Sequence, residues 1–155
     1  MIPNPMGWSD YTVSAPPAPT LLISELQDVD GNVIYRVQPE AKEVVDIETA
    51  EMTSDILRNV VLHGTGRRAK RSVLANGKTI PVGGKTGTTN EYRNAVFLGF
   101  VPKVDGDKYR SSTGYVVGSY VGYDNNRPMT RGYVRIDGSR GALPVWIGIA
   151  NGLQE

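Results

Sequence analysis

The sequence predicts an α+β fold, an antiparallel sheet with helices packed on it. Three observations lead there. Asp30-Gly31 stands between two apolar runs, a strong hairpin-turn signal. Residues 94–101 and 115–123 read as strands, with a turn at Asp105-Gly106-Asp107 between them. Residues 49–63 repeat apolar side chains at helical spacing, and residues 142–153 are helix-like in apolar content. The chain has 155 residues, a length that fits one domain, and its 18 glycines and 10 prolines imply many turns and short elements.

Taken in order, residues 1–20 form an irregular lead-in, because Pro3, Pro5, Pro16, Pro17 and Pro19 break any helix or central strand. Residues 21–155 are expected to form one partial domain of a hairpin, a helix, the strand at 83–89, two further strands and a C-terminal helix. Residues 21–26 and 33–37 make the first hairpin; its aspartates lack the spacing of an EF-hand loop. In the helix over 49–63, Thr49 is the expected cap, with Glu51 and Met52 in the first turn. Met52, Ile56, Leu57, Val60, Val61 and His63 recur at helical spacing, and Gly64 and Gly66 stop the helix. After the glycine-rich stretch at 83–89, Asn90 to Arg93 should turn. Residues 94–101 are so uniformly apolar that burial on both faces is expected. Pro144 is tolerated in the first turn of the last helix. Residues 127–140, rich in Arg and Gly, match no element.

Composition excludes several chemistries. With no cysteine, disulfides, thiolate catalysis and cysteine-ligated zinc are out. A single histidine, His63, rules out a multi-histidine metal site; no metal and no cofactor are expected. A net charge of +1 gives no reason to expect nucleic acid or an anionic membrane as partner. Arg67, Arg68, Lys70 and Arg71 form the one basic cluster and read as a solvated loop after the helix. No apolar run approaches the roughly 18 residues that span a bilayer, and no signal peptide is evident.

The stretch Gly83-Gly84-Lys85-Thr86-Gly87-Thr88-Thr89 holds three glycines, one lysine and three threonines. Glycine lets a ligand approach the backbone, threonine favours a strand and brings a hydroxyl, and lysine brings a point charge. Such a strand edge could take an extended, anionic peptide end as an added strand. A phosphate loop would need a glycine five residues before the Gly of Gly-Lys-Thr. Those positions are Thr79 and Ser72, so both copies fail. Gly64-Thr65-Gly66-Arg67-Arg68-Ala69 imitates a dinucleotide fingerprint but follows a helix rather than a strand.

Lys85-Thr86-Gly87 also matches the triplet that accompanies Ser-x-x-Lys and Ser-x-Asn in penicillin-recognising serine enzymes. The longer run is more specific. It comprises Gly84 to Asn90, Phe97-Leu98-Gly99-Phe100-Val101-Pro102 and Val121-Gly122-Tyr123-Asp124. Supporting matches are Pro19-Thr20-Leu21, Asp30 to Tyr35, and Gly141-Ala142-Leu143-Pro144-Val145-Trp146. Over about residues 19 to 150 the chain resembles the C-terminal part of the transpeptidase domain of class A, bifunctional penicillin-binding proteins. The resemblance implies acyl transfer by a serine, with peptidoglycan stem peptides and β-lactams as ligands. It assigns catalytic roles to Lys85 and Thr88, and substrate binding to Lys85, Thr86, Gly87 and Thr88. It implies the cell envelope, at the extracytoplasmic face of the inner membrane, for the parent protein.

No serine here is followed by lysine three places on, and no Ser-x-Asn occurs. In the family both motifs precede the Lys-Thr-Gly strand, so the chain is expected to be a fragment, inactive without the N-terminal half of the domain. The family's Asp-x-Trp-Phe is replaced by Asn94-Ala95-Val96-Phe97, which removes a charge and a large packing group. The alternative reading is a non-catalytic module that binds peptides or a partner strand. Apolar surface left bare by the absent half would favour a homo-oligomer.

Overall fold

The computed structural model describes residues 23–38, 45–106 and 108–154, with backbone only at 110–113. The expected lead-in over 1–20, the first residues of the hairpin and Asp107 lie outside the described residues. The hairpin pairs β1 (Glu25–Gln27) with β2 (Val33–Arg36), antiparallel. Asp28 closes its turn, accepting from the backbone N–H of Asp30 at 2.9 Å and of Asn32 at 2.8 Å. Gly31, at φ +83°, takes the left-handed conformation that favours glycine.

Helix α1 spans Ile47–His63. Its cap is Asp46, not Thr49. The Asp46 carboxylate accepts from the Thr49 N–H at 2.8 Å and from the Thr49 hydroxyl at 2.8 Å, so Thr49 sits inside the first turn as a donor. The helix stops where expected: the N–H groups of Gly64 and Gly66 both reach the Val60 carbonyl, at 2.9 and 3.1 Å. The basic cluster forms a solvated 3₁₀ turn, Arg67–Arg71, pinned by buried Ala69. The small hairpin of β3 (Leu74–Ala75) and β4 (Lys78–Thr79) follows.

The central sheet has the order β5-β6-β7, all antiparallel, from β5 (Gly83–Thr88), β6 (Asn94–Asp105) and β7 (Lys108–Gly122). Lys85 opposes Leu98, Thr86 opposes Phe97 and Thr88 opposes Ala95. The turn before β6 is a short 3₁₀ piece, Asn90–Tyr92, with Glu91 and Tyr92 at positive φ. Residues 127–140 build β8 (Thr130–Arg131) and β9 (Val134–Arg135), then a π-helical turn, Gly138–Ala142, that runs into α2 (Leu143–Gly152).

One face of the sheet is core. Ala95, Phe97 and Val101 of β6 are fully buried beneath Ala142, Leu143, Trp146 and Ala150. Trp146 meets Phe97 edge-on, with ring centroids 4.9 Å apart, and its Nε1–H donates to the Val117 carbonyl at 3.0 Å. Ser119, also buried, donates to the Ala142 carbonyl at 2.8 Å. These bonds fix α2 and the turn before it on β6 and β7. Helix α1 instead lies along β5, with the stem of buried Arg58 against the position of Gly83.

The expectation that β6 is buried on both faces is corrected. Between the buried residues, Val96 and Leu98 are exposed, and so are Val116 and Tyr120 of β7. A strand alternates its side chains, and here α2 covers only one side.

Candidate functional site

Strand β5 is an edge of the sheet, and its sequence divides it into two halves. Gly83 and Gly84 are buried. A Cβ at Gly84 would fall 2.7 Å from the Leu98 carbonyl oxygen and from the Phe97 ring, so that glycine serves packing rather than ligand approach. Residues Lys85 to Thr88 form the accessible half. Lys85 is exposed, and its Nζ donates to the Thr86 carbonyl at 2.8 Å while lying 3.5 Å from Thr86 Oγ1.

Thr86 and Thr88 open onto a cleft of about 460 Å³, whose wall also includes Thr65, Thr89, Asn90, Glu91, Tyr92, Asp137, Gly138 and Ser139. Lys85, one residue out of phase with both threonines, stands beside it. The Thr86 and Thr65 hydroxyl oxygens are 2.6 Å apart. Thr88 Oγ1 accepts from the N–H of Gly138 at 3.0 Å, which leaves its own hydrogen available to a ligand.

Two carboxylates line the cleft, and both are engaged. Glu91 pairs with Arg93 at 2.5 Å. For Asp137, burial opposes the charge, but it is outweighed by the Ser139 hydroxyl, by the N–H groups of Arg140 and Ser139 and by the Arg140 charge, so its carboxyl titrates below the usual range. The donors left to a ligand are a lysine ammonium and threonine hydroxyls, a set suited to a carboxylate. No cluster of His, Cys, Asp or Glu able to hold a metal occurs among the described residues.

The predicted Lys85, Thr86, Gly87 and Thr88 are thus adjacent on one strand end. Sequence reasoning missed Thr65 and the Asp137-Gly138-Ser139 turn. Thr65 was hidden inside Gly64-Thr65-Gly66, a motif weighed only as a nucleotide fingerprint. Asp137 belongs to the stretch that matched no element. Asn94, which replaces the family's aspartate, keeps polar partners: it receives the Tyr120 hydroxyl proton and donates to Asn126 Oδ1 at 3.2 Å.

A family model described as the penicillin binding protein transpeptidase domain matches residues 18–127. Penicillin-binding protein 1A of Aquifex aeolicus (strain VF5) is 38% identical over 125 residues, 81% of this chain and 14% of that protein. Penicillin-binding protein 1B of Vibrio cholerae is 32% identical over 139 residues, 90% of this chain and 15% of that protein. The crystal structure of penicillin-binding protein 1A from Haemophilus influenzae superposes with a TM-score of 0.63 at 23% identity, over 89% of this chain and 24% of that one, and so shares the fold. The chain spans about a seventh of the length of the curated relatives it matches. Among the described residues no helix is long and apolar enough to cross a membrane. With its matched residues, its relatives and its α+β fold in agreement, this chain belongs to the penicillin binding protein transpeptidase domain family, as part of such a domain of the class A type.

Proposed function

We propose that this chain supplies the Lys-Thr-Gly side of a serine D,D-transpeptidase that cross-links peptidoglycan stem peptides and is acylated by penicillin. The observation that carries the reading is the placement of Lys85, Thr86 and Thr88 side by side at the accessible end of an edge strand, with the Thr88 hydroxyl proton left over by its bond from Gly138. A serine on a segment outside this chain attacks the carbonyl carbon of the penultimate D-alanine. The peptide C–N bond breaks, the serine proton passes to the departing nitrogen, and the terminal D-alanine leaves. An amine of a neighbouring stem then attacks the acyl-enzyme, forms the new amide and returns a proton to the serine.

In this scheme Lys85 stands beside the serine of Ser-x-Asn, adds positive charge and assists proton transfer. Thr86 and Thr88 hold the terminal carboxylate, and Gly87 lets the substrate lie against the strand. The backbone N–H of Thr88 donates to the tetrahedral oxyanion, together with that of the attacking serine. One such donor is worth about 3 to 4 kcal/mol, so this segment without the serine is silent. The parent protein works at the extracytoplasmic face of the inner membrane. The open edge of β5 also favours a second reading, a non-catalytic module that captures an extended peptide by strand addition.

Labelling with a fluorescent penicillin, followed by intact-mass analysis, separates the two. The 155-residue chain alone acquires no adduct, and the protein bearing both the serine motifs and this segment acquires one per active site, which Lys85→Ala abolishes. An adduct on the short chain alone would place a nucleophile here and sink the fragment reading. No adduct with the serine motifs supplied would leave the binding module.

A further inference from the structure

We propose that Thr65 is a positioning residue for carboxylate recognition, acting through Thr86; this rests on the transpeptidase reading of the site. Thr65 leaves α1 directly, and its backbone is fixed on both sides by the Gly64 and Gly66 N–H bonds to the Val60 carbonyl. Its Oγ1 lies 2.6 Å from Thr86 Oγ1, across 21 residues of sequence.

A hydroxyl has one proton and two lone pairs, whereas an ammonium has protons only. Lys85 Nζ, 3.5 Å from Thr86 Oγ1, therefore faces that oxygen as a donor. If Thr86 gave its own proton to Thr65, a carboxylate entering the cleft would meet a Thr86 lone pair and be repelled. With Thr65 as donor, Thr86 Oγ1 accepts from Thr65 and from the Lys85 side, and its proton turns outward to the anion. The two hydroxyls then form a relay in which each bond polarises the next. Thr65 thereby couples the end of α1 to the substrate strand, and removing its hydroxyl leaves Thr86 free to rotate its proton away.

The test compares benzylpenicillin with its methyl ester, in the full-length protein that carries this segment and the serine motifs. Thr65→Val lowers the second-order acylation rate for benzylpenicillin about tenfold, the size of one hydrogen bond to a charged group. The ester changes less than twofold, and Thr65→Ser restores the loss. In a Thr86→Val background, Thr65→Val produces no further loss, because the effect runs through Thr86. Equal losses for acid and ester, no rescue by serine, or full additivity with Thr86→Val would each overturn the positioning role. If the unsubstituted protein is acylated by neither compound, the transpeptidase reading itself fails, and the role of Thr65 with it.

Discussion

A methyl group added at Gly138 would come within 2.8 Å of two carbonyl oxygens, those of Gly87 and Val96, and within 2.9 Å of Thr86 Cβ. None of these atoms is the end of a flexible side chain. The same residue donates its N–H to Thr88 Oγ1. Gly138→Ala must therefore lift the π-helical turn off the β5–β6 pair and release the Thr88 hydroxyl. Overpacking of this kind costs about 1–3 kcal/mol. The expected result is a lower urea midpoint and, under the proposed function, slower penicillin acylation of the protein that carries this segment together with the serine motifs. A variant with unchanged midpoint and rate would show that the turn gives way without cost.

Helix α1 depends on a carboxylate for its start, and α2 brings one with it. Asp46 is held below the usual carboxylate range first by the Thr49 N–H and then by the Thr49 hydroxyl. Asp137 is also lowered, by the bonds already described. A carboxyl whose pKa falls on folding adds stability that is complete above its unfolded value near 3.9 and is lost as pH drops through the folded value. The thermal midpoint should therefore respond little to these groups between about pH 7 and 5, and fall below about pH 4. Asp46→Asn, which keeps an acceptor but no titrating group, should shrink that fall; an identical pH profile would count against the cap's role.

Much of this was legible in the chain. Gly64 ends α1, Pro144 opens α2, and the Lys-Thr-Gly run and its neighbouring apolar strands announce themselves by residue type. The cap was misread because the apolar spacing becomes regular only from Met52, for which Thr49 is the nearest capping residue, whereas the helix already begins at Ile47 behind Asp46. The 127–140 stretch was unreadable because its two strands are only two residues long each and its turn is held by Asp137 through local bonds. Thr65 was invisible because its partner lies in another element, and only tertiary contact brings the two together.

As a folded unit, the sheet has a finished side and an open one. Val96, Leu98, Val116 and Tyr120 are 38%, 59%, 78% and 63% exposed. Contiguous apolar surface of this kind drives association. The isolated chain should self-associate in sedimentation velocity with increasing concentration. The double variant Leu98→Lys, Val116→Lys should run as a monomer with stability changed by only about 0.5 kcal/mol, since both side chains are solvated in the fold. Unaltered association would move the sticky surface elsewhere.

The bond between Gly138 and Thr88 joins residues 50 positions apart, and Asn151 ties α2 back to Ser72 and Leu74 across 79 and 77 positions. During synthesis at roughly 5–20 residues per second, the 50 residues after Thr88 take about 3 to 10 seconds to follow it. For that interval β5 is outside the ribosome without the turn whose Gly138 N–H meets the Thr88 hydroxyl oxygen. The site is thus completed late in translation, and a chain stalled before Gly138 would display the Lys-Thr-Gly edge without the means to aim it.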